Sequence, residues 1–72
     1  MRVLLVEDNP DLVSLLTKGL AHAGFAADSV GTAGDAKHVL ATMKYAVIVL
    51  DLGLPDEDGL TLLRELRRRG DS

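Results

Sequence analysis

Tyr45-Ala46-Val47-Ile48-Val49-Leu50-Asp51 runs into Leu52-Gly53-Leu54-Pro55-Asp56-Glu57-Asp58-Gly59, and this passage decides the fold. Residues 45–50 are almost wholly apolar and rich in β-branched side chains. A short run without polar alternation suits a strand covered on both faces, as in a parallel sheet. It stops at an acid, and a loop of Gly, Pro and acids over residues 53–59 follows. Leu60 then begins a helix with Leu63 and Leu66 turned inward. Glu65 is spaced to pair with Arg68 or Arg69 one turn on. Arg67, Arg68 and Arg69 complement the negative C-terminal end of that helix, and Gly70 can close it.

The same alternation occurs twice upstream. Val3-Leu4-Leu5-Val6 is another apolar strand, ending in Glu7-Asp8. Asn9-Pro10 reads as a helix start, because Asn caps well and Pro at the first position loses no needed N–H. Asp11 suits the positive helix N-terminus. Leu12, Leu16, Leu20 and Ala23 form a stripe that Val13 and Leu15 widen, and Gly24 fits the stop position. Residues 25–30 make a weaker strand, interrupted by Asp28 and therefore expected at a sheet edge. Thr32 caps a second helix with Asp35 at its third position. Its buried stripe is read as Ala36, Val39, Leu40 and Met43, with Lys37, His38 and Lys44 outward. The order β-α-β-α-β-α predicts a parallel sheet with right-handed crossovers.

Bulk composition narrows the function. The 72 residues are 47% hydrophobic, too apolar for a disordered chain. A net charge of −3 gives no electrostatic reason to bind nucleic acid. With no cysteine there is neither a disulfide nor a thiolate metal site. No apolar run approaches the length of a signal peptide or membrane span. These features predict a cytoplasmic chain that itself engages neither nucleic acid nor membrane.

Sites in open parallel sheets form beyond the carboxyl ends of the strands. Two of the three expected strands end in acid, Glu7-Asp8 and Asp51. If those strands are neighbours, three carboxylates converge, and an octahedral Mg²⁺ would compensate their charge. A carboxylate there can also attack a phosphoryl group to give an aspartyl phosphate. An acid after a strand often just caps the next helix, and Asp8 could do so beside Asn9. Acids at both strand ends, with Pro55 and Gly59 beyond the second, tip the reading toward a site. His22 and His38 lie on expected helices without a second ligand and read as surface residues. Arg67-Arg68-Arg69 reads as a solvated helix end, and Asp56, Glu57 and Asp58 as a solvated loop.

The segments Val3-Leu4-Leu5-Val6-Glu7-Asp8-Asn9 and residues 47–59 resemble the receiver domains of two-component response regulators. The loop is most similar to the winged-helix, DNA-binding branch. The resemblance implies that Asp51 is the phosphoacceptor and that Glu7 and Asp8 help hold Mg²⁺, Asp8 more directly. It implies a further metal ligand in the backbone carbonyl of Gly53, and places Pro55 and Gly59 in the turn into the third helix. The implied partner is a sensor histidine kinase. The implied fold is flavodoxin-like, an open sheet in the order 2-1-3, with helix one on one face and helices two and three on the other.

A full receiver has about 120 residues, an ordinary domain size. Residues 1–72 would be its N-terminal β-α-β-α-β-α part, lacking the last two strand-helix units. The family's hydroxyl residue after strand four and lysine after strand five have no counterpart here, nor does a DNA-binding module. The expectation is therefore weak or transient phosphorylation of this stretch alone, DNA being reached only through a further domain. In the 2-1-3 order the most apolar strand lies at an edge, which predicts a homodimer. Three rival readings are a truncated receiver that assembles with itself without signalling, a haloacid-dehalogenase-type phosphatase, and a nucleotide-binding module. The phosphatase requires a second Asp two residues after the nucleophile, where this chain has Gly53. No G-x-G-x-x-G follows the first strand, which removes the signature of the nucleotide-binding module.

Overall fold

The computed structural model describes residues 1–51 and 53–68. Its elements are β1 (Arg2–Val6), α1 (Pro10–His22), β2 (Ala26–Val30), α2 (Ala33–Leu40), β3 (Val47–Leu50) and α3 (Gly59–Arg68). The three strands form a parallel sheet in the order β2-β1-β3, as the sequence predicts. Central β1 is buried on both faces. Leu4 and Val6 point into a core with Ala33, Ala36, Leu54, Leu62 and Leu66, so α2 and α3 share that face. Val3 and Leu5 alternate to the other face, where Leu5 lines a hollow together with Leu12 and Leu16 of α1.

The helix boundaries follow from their caps. Asn9 Oδ1 accepts from the N–H groups of Asp11 and Leu12 at 3.0 and 3.2 Å, with Pro10 at the first helical position. At the other end Gly24 adopts φ 89°, the left-handed conformation that glycine tolerates without a Cβ penalty. Gly24 N–H donates to Ala21 O and Phe25 N–H to Leu20 O, the paired bonds of a Schellman stop. Thr32 Oγ1 accepts from Asp35 N–H at 3.0 Å and starts α2.

Several expectations need correction. Helix α3 turns Leu62 inward with Leu66, while Leu63 is only half-buried. The cluster Leu60, Leu62, Leu63 and Leu66 permits two stripes, and a helix that begins at Gly59 on the buried Leu54 loop selects the first. Met43 is exposed rather than buried, because α2 ends at Leu40 and its last carbonyls are taken by a turn, Thr42 and Met43 N–H both donating to Val39 O. Strand β3 begins at Val47. Tyr45 instead packs on the core and donates its hydroxyl to Asp28 at 2.7 Å. Asp28 also receives a two-pronged bond from Arg2 at 2.8 Å, so the acid that interrupts β2 is paired within the sheet edge. The Arg2 bond first, and the Tyr45 bond second, hold its carboxyl below the ordinary range. Helix α1 carries the expected stripe but buries none of its residues fully. Arg67 and Arg68 do lie in the last turn of α3, whereas Arg69 and Gly70 fall outside the described residues. Among the described residues no helix is long and apolar enough to cross a membrane.

Candidate phosphoacceptor and metal site

Strand register assembles the site. Val6 pairs with Leu50, so the residues that follow, Glu7 and Asp51, leave the sheet side by side. The ladder continues one step beyond the strands: Asp51 N–H donates to Val6 O at 2.9 Å and Glu7 N–H to Val30 O at 3.0 Å. Carboxylate oxygens of Glu7, Asp8 and Asp51 lie within 4.8 Å of one another. Glu7 and Asp51 are partly buried and Asp8 is exposed, which leaves the cluster open to solvent on one side. Among the described residues no Lys or Arg forms an ion pair with any of the three. Three hard oxygen donors with uncompensated charge fit a small divalent cation such as Mg²⁺. Asp8 does not cap α1, since Asn9 has that role; Glu7 Oε1 accepts from Asn9 N–H at 3.1 Å.

Asp51 is oriented by its own loop. Gly53 N–H donates to Asp51 Oδ1 at 3.0 Å. A family model for the response regulator receiver domain matches residues 3–72. The chain belongs to the response-regulator receiver family. It is 44% identical over 68 residues to the transcriptional regulatory protein PmrA of Pectobacterium parmentieri, covering 94% of this chain and 31% of that protein. Among solved structures, a CheY-like receiver domain from Methylobacillus flagellatus superposes with a TM-score of 0.89 at 37% identity, covering 93% of this chain and 57% of that one. The response regulator TrrA from Thermotoga maritima, solved in complex with Mg²⁺-BeF, superposes with a TM-score of 0.92 at 27% identity, covering 97% and 61%. This receiver chain therefore spans under a third of the regulator's length and somewhat over half of each solved chain.

Asp56 and Asp58 are exposed, as expected of a solvated loop, but the acids beyond Asp51 also make specific bonds that the sequence did not reveal. Asp56 reaches across 23 residues of sequence to the start of α2, accepting from Ala33 N–H at 2.9 Å and Gly34 N–H at 3.0 Å. The Ala33 bond first, then that of Gly34, holds the Asp56 carboxyl below the usual range. Asp58 Oδ1 accepts from Leu60 N–H at 3.0 Å and opens α3. Lys37, expected outward, bridges Glu57 at 3.0 Å and Glu65 at 2.7 Å, and those bonds, the Glu65 one foremost, raise its ammonium above the ordinary range. Glu65 thus meets α2 rather than only its own helix. The sequence does carry a signal for the Asp56 contact: Thr32 satisfies one of the first N–H groups of α2, and the others need an acceptor from elsewhere.

Proposed function

We propose that Asp51 is the phosphoacceptor of a two-component phosphorelay module. The phosphoryl group would come from a sensor histidine kinase. The carrying observation is the convergence of Glu7, Asp8 and Asp51 at the carboxyl edge of a receiver-family sheet. Glu7, Asp8, Asp51 and the Gly53 carbonyl would hold Mg²⁺, a reading supported by the TrrA neighbour solved with Mg²⁺-BeF. Bound there, Mg²⁺ supplies neutralising charge to the transferring group. The Gly53 N–H steadies one Asp51 oxygen while the other attacks phosphorus. An oxygen–phosphorus bond forms, the donor's bond to phosphorus breaks, and the electron pair leaves with the donor. The chain is a carrier, not a turnover enzyme; Gly53 occupies the place where a haloacid-dehalogenase-type phosphatase would need its second Asp.

This 72-residue stretch would be the N-terminal part of a receiver. The family's hydroxyl and lysine, which hold phosphoryl oxygens by charge-assisted hydrogen bonds, have no counterpart among these residues. Output to DNA would run through a separate domain, and the setting would be the cytoplasm. Incubated alone with acetyl phosphate and Mg²⁺, the 72-residue chain should label to a small fraction and lose the label quickly. Intact-mass measurement over time checks this, and stoichiometric, long-lived labelling would refute it.

The open face of β3 supports a homodimer when these residues stand alone. Val47 is 47% and Val49 41% exposed, at a sheet edge. An apolar edge of this kind templates pairing with another strand. Leu12 of α1 is exposed too and lines the same hollow as Val49. Fully burying a Leu- or Val-sized side chain is worth roughly 1.5–3 kcal/mol. Light scattering at micromolar concentration should therefore give twice the monomer mass, with a thermal midpoint that rises with concentration. A monomer whose midpoint ignores concentration overturns the dimer.

A further inference from the structure

The structure assigns Asp56 as a positioning residue for the metal site: by clamping the β3–α3 loop to the N-terminus of α2, it fixes the loop that carries Gly53 and orients Asp51. This inference rests on the proposed reading of Glu7, Asp8, Asp51 and Gly53 as Mg²⁺ ligands.

The loop has few anchors. Leu54 is buried in the core, and Asp58 bonds forward into α3. Between them Asp56 makes two bonds to backbone N–H groups of another element, at 2.9 and 3.0 Å. Those donors are Ala33 and Gly34, the first two residues of α2. Thr32 Oγ1 takes the third, Asp35 N–H, and Thr32 O takes Ala36 N–H. The opening donors of α2 are thus divided between its own cap and a carboxylate from the phosphoacceptor loop. A carboxylate on two such N–H groups makes charge-assisted bonds at the positive end of the helix dipole, stronger than neutral ones. The Lys37–Glu57 pair, at 3.0 Å, ties the next loop residue to the same helix.

The mechanical consequence falls on Gly53. Its N–H holds Asp51 Oδ1 at 3.0 Å, and its carbonyl is the implied backbone ligand. A backbone ligand has no side-chain rotamers with which to find the metal, so its position is that of the loop. Glu7 and Asp8 depend on β1 and would keep their places without Asp56. Release of Asp56 should leave the carboxylates intact and blur only the Gly53 carbonyl and the set of Asp51. Outer contacts that orient metal ligands typically contribute about 10–100-fold in affinity.

Thr32→Ala is the comparison that separates positioning from simple capping. It removes a cap bond from the same helix end without touching the loop. Both Thr32→Ala and Asp56→Ala should lower the thermal midpoint of the 72-residue chain. Mg²⁺ titration by calorimetry, well below both midpoints, should show about 10-fold weaker binding for Asp56→Ala only. Asp56→Asn, which keeps an acceptor oxygen, should recover part of the loss. Equal Mg²⁺ affinity for Asp56→Ala and the parent overturns the inference, as does equal weakening by Thr32→Ala. Asp8→Ala distinguishes the two levels. If it binds Mg²⁺ as the parent does, the metal reading fails and the positioning role falls with it. If Asp8→Ala weakens binding while Asp56→Ala does not, the positioning role alone is wrong.

Discussion

Replacing Leu62 with Ala is expected to remove most of the folded population of the 72-residue chain at 25 °C. Leu62 is fully buried, in one cluster with Leu4, Val6, Ala33, Ala36, Leu54 and Leu66. A Leu→Ala change at such a position costs about 2–5 kcal/mol, the transfer term plus the cavity left behind. A single core in a chain this small supplies about 3–5 kcal/mol in total. The loss is therefore of the size of the whole stability. Leu15→Ala is the matched control, since Leu15 is 68% exposed and its truncation should stay within about 0.5 kcal/mol. Urea unfolding followed by circular dichroism checks both. A Leu62→Ala midpoint equal to the parent's would mean that α3 does not seat on the sheet by this residue.

The architecture was legible because each boundary has a local chemical cause. Asn9-Pro10, Gly24 and Thr32 mark helix ends by their own backbone demands, and the structure shows each of those bonds made. The strand order followed from the receiver resemblance and right-handed crossovers, and the register that brings Asp51 beside Glu7 follows from that order. The acidic trio was legible for the same reason: all three residues sit at strand ends, where local sequence sets their place.

What escaped the sequence depends on partners far along the chain. Nothing near Asp56 states that Ala33 and Gly34 are its donors, so the exposed carboxylate reads as solvated and nothing more. Lys37 reads as outward because its two partners lie on the β3–α3 loop and α3. Leu63 was preferred to Leu62 because a helix rich in leucine has more than one apolar stripe, and only docking on Leu54 and the sheet chooses between them. Val47-Ile48-Val49-Leu50 reads as a strand covered on both sides, yet only Ile48 and Leu50 pack on the core. Local composition registers an apolar run; it does not register which neighbour covers each face.

Asp51→Asn carries the other large effect. The amide oxygen can still accept from Gly53 N–H, which holds Asp51 Oδ1 at 3.0 Å, so the loop should keep its shape. One negative charge leaves a cluster of three carboxylates, which relieves repulsion and should not destabilise the fold. An amide, however, has no carboxylate to attack phosphorus. Labelling should therefore vanish while folding persists. The decisive measurement is peptide mapping after incubation with acetyl phosphate and Mg²⁺, with borohydride reduction to convert an aspartyl phosphate to homoserine. Whatever label forms should map to position 51, require Mg²⁺, and be absent from Asp51→Asn. Label at Glu7, Asp8 or elsewhere, or label that persists in Asp51→Asn, would contradict the assignment of Asp51 as the phosphoacceptor.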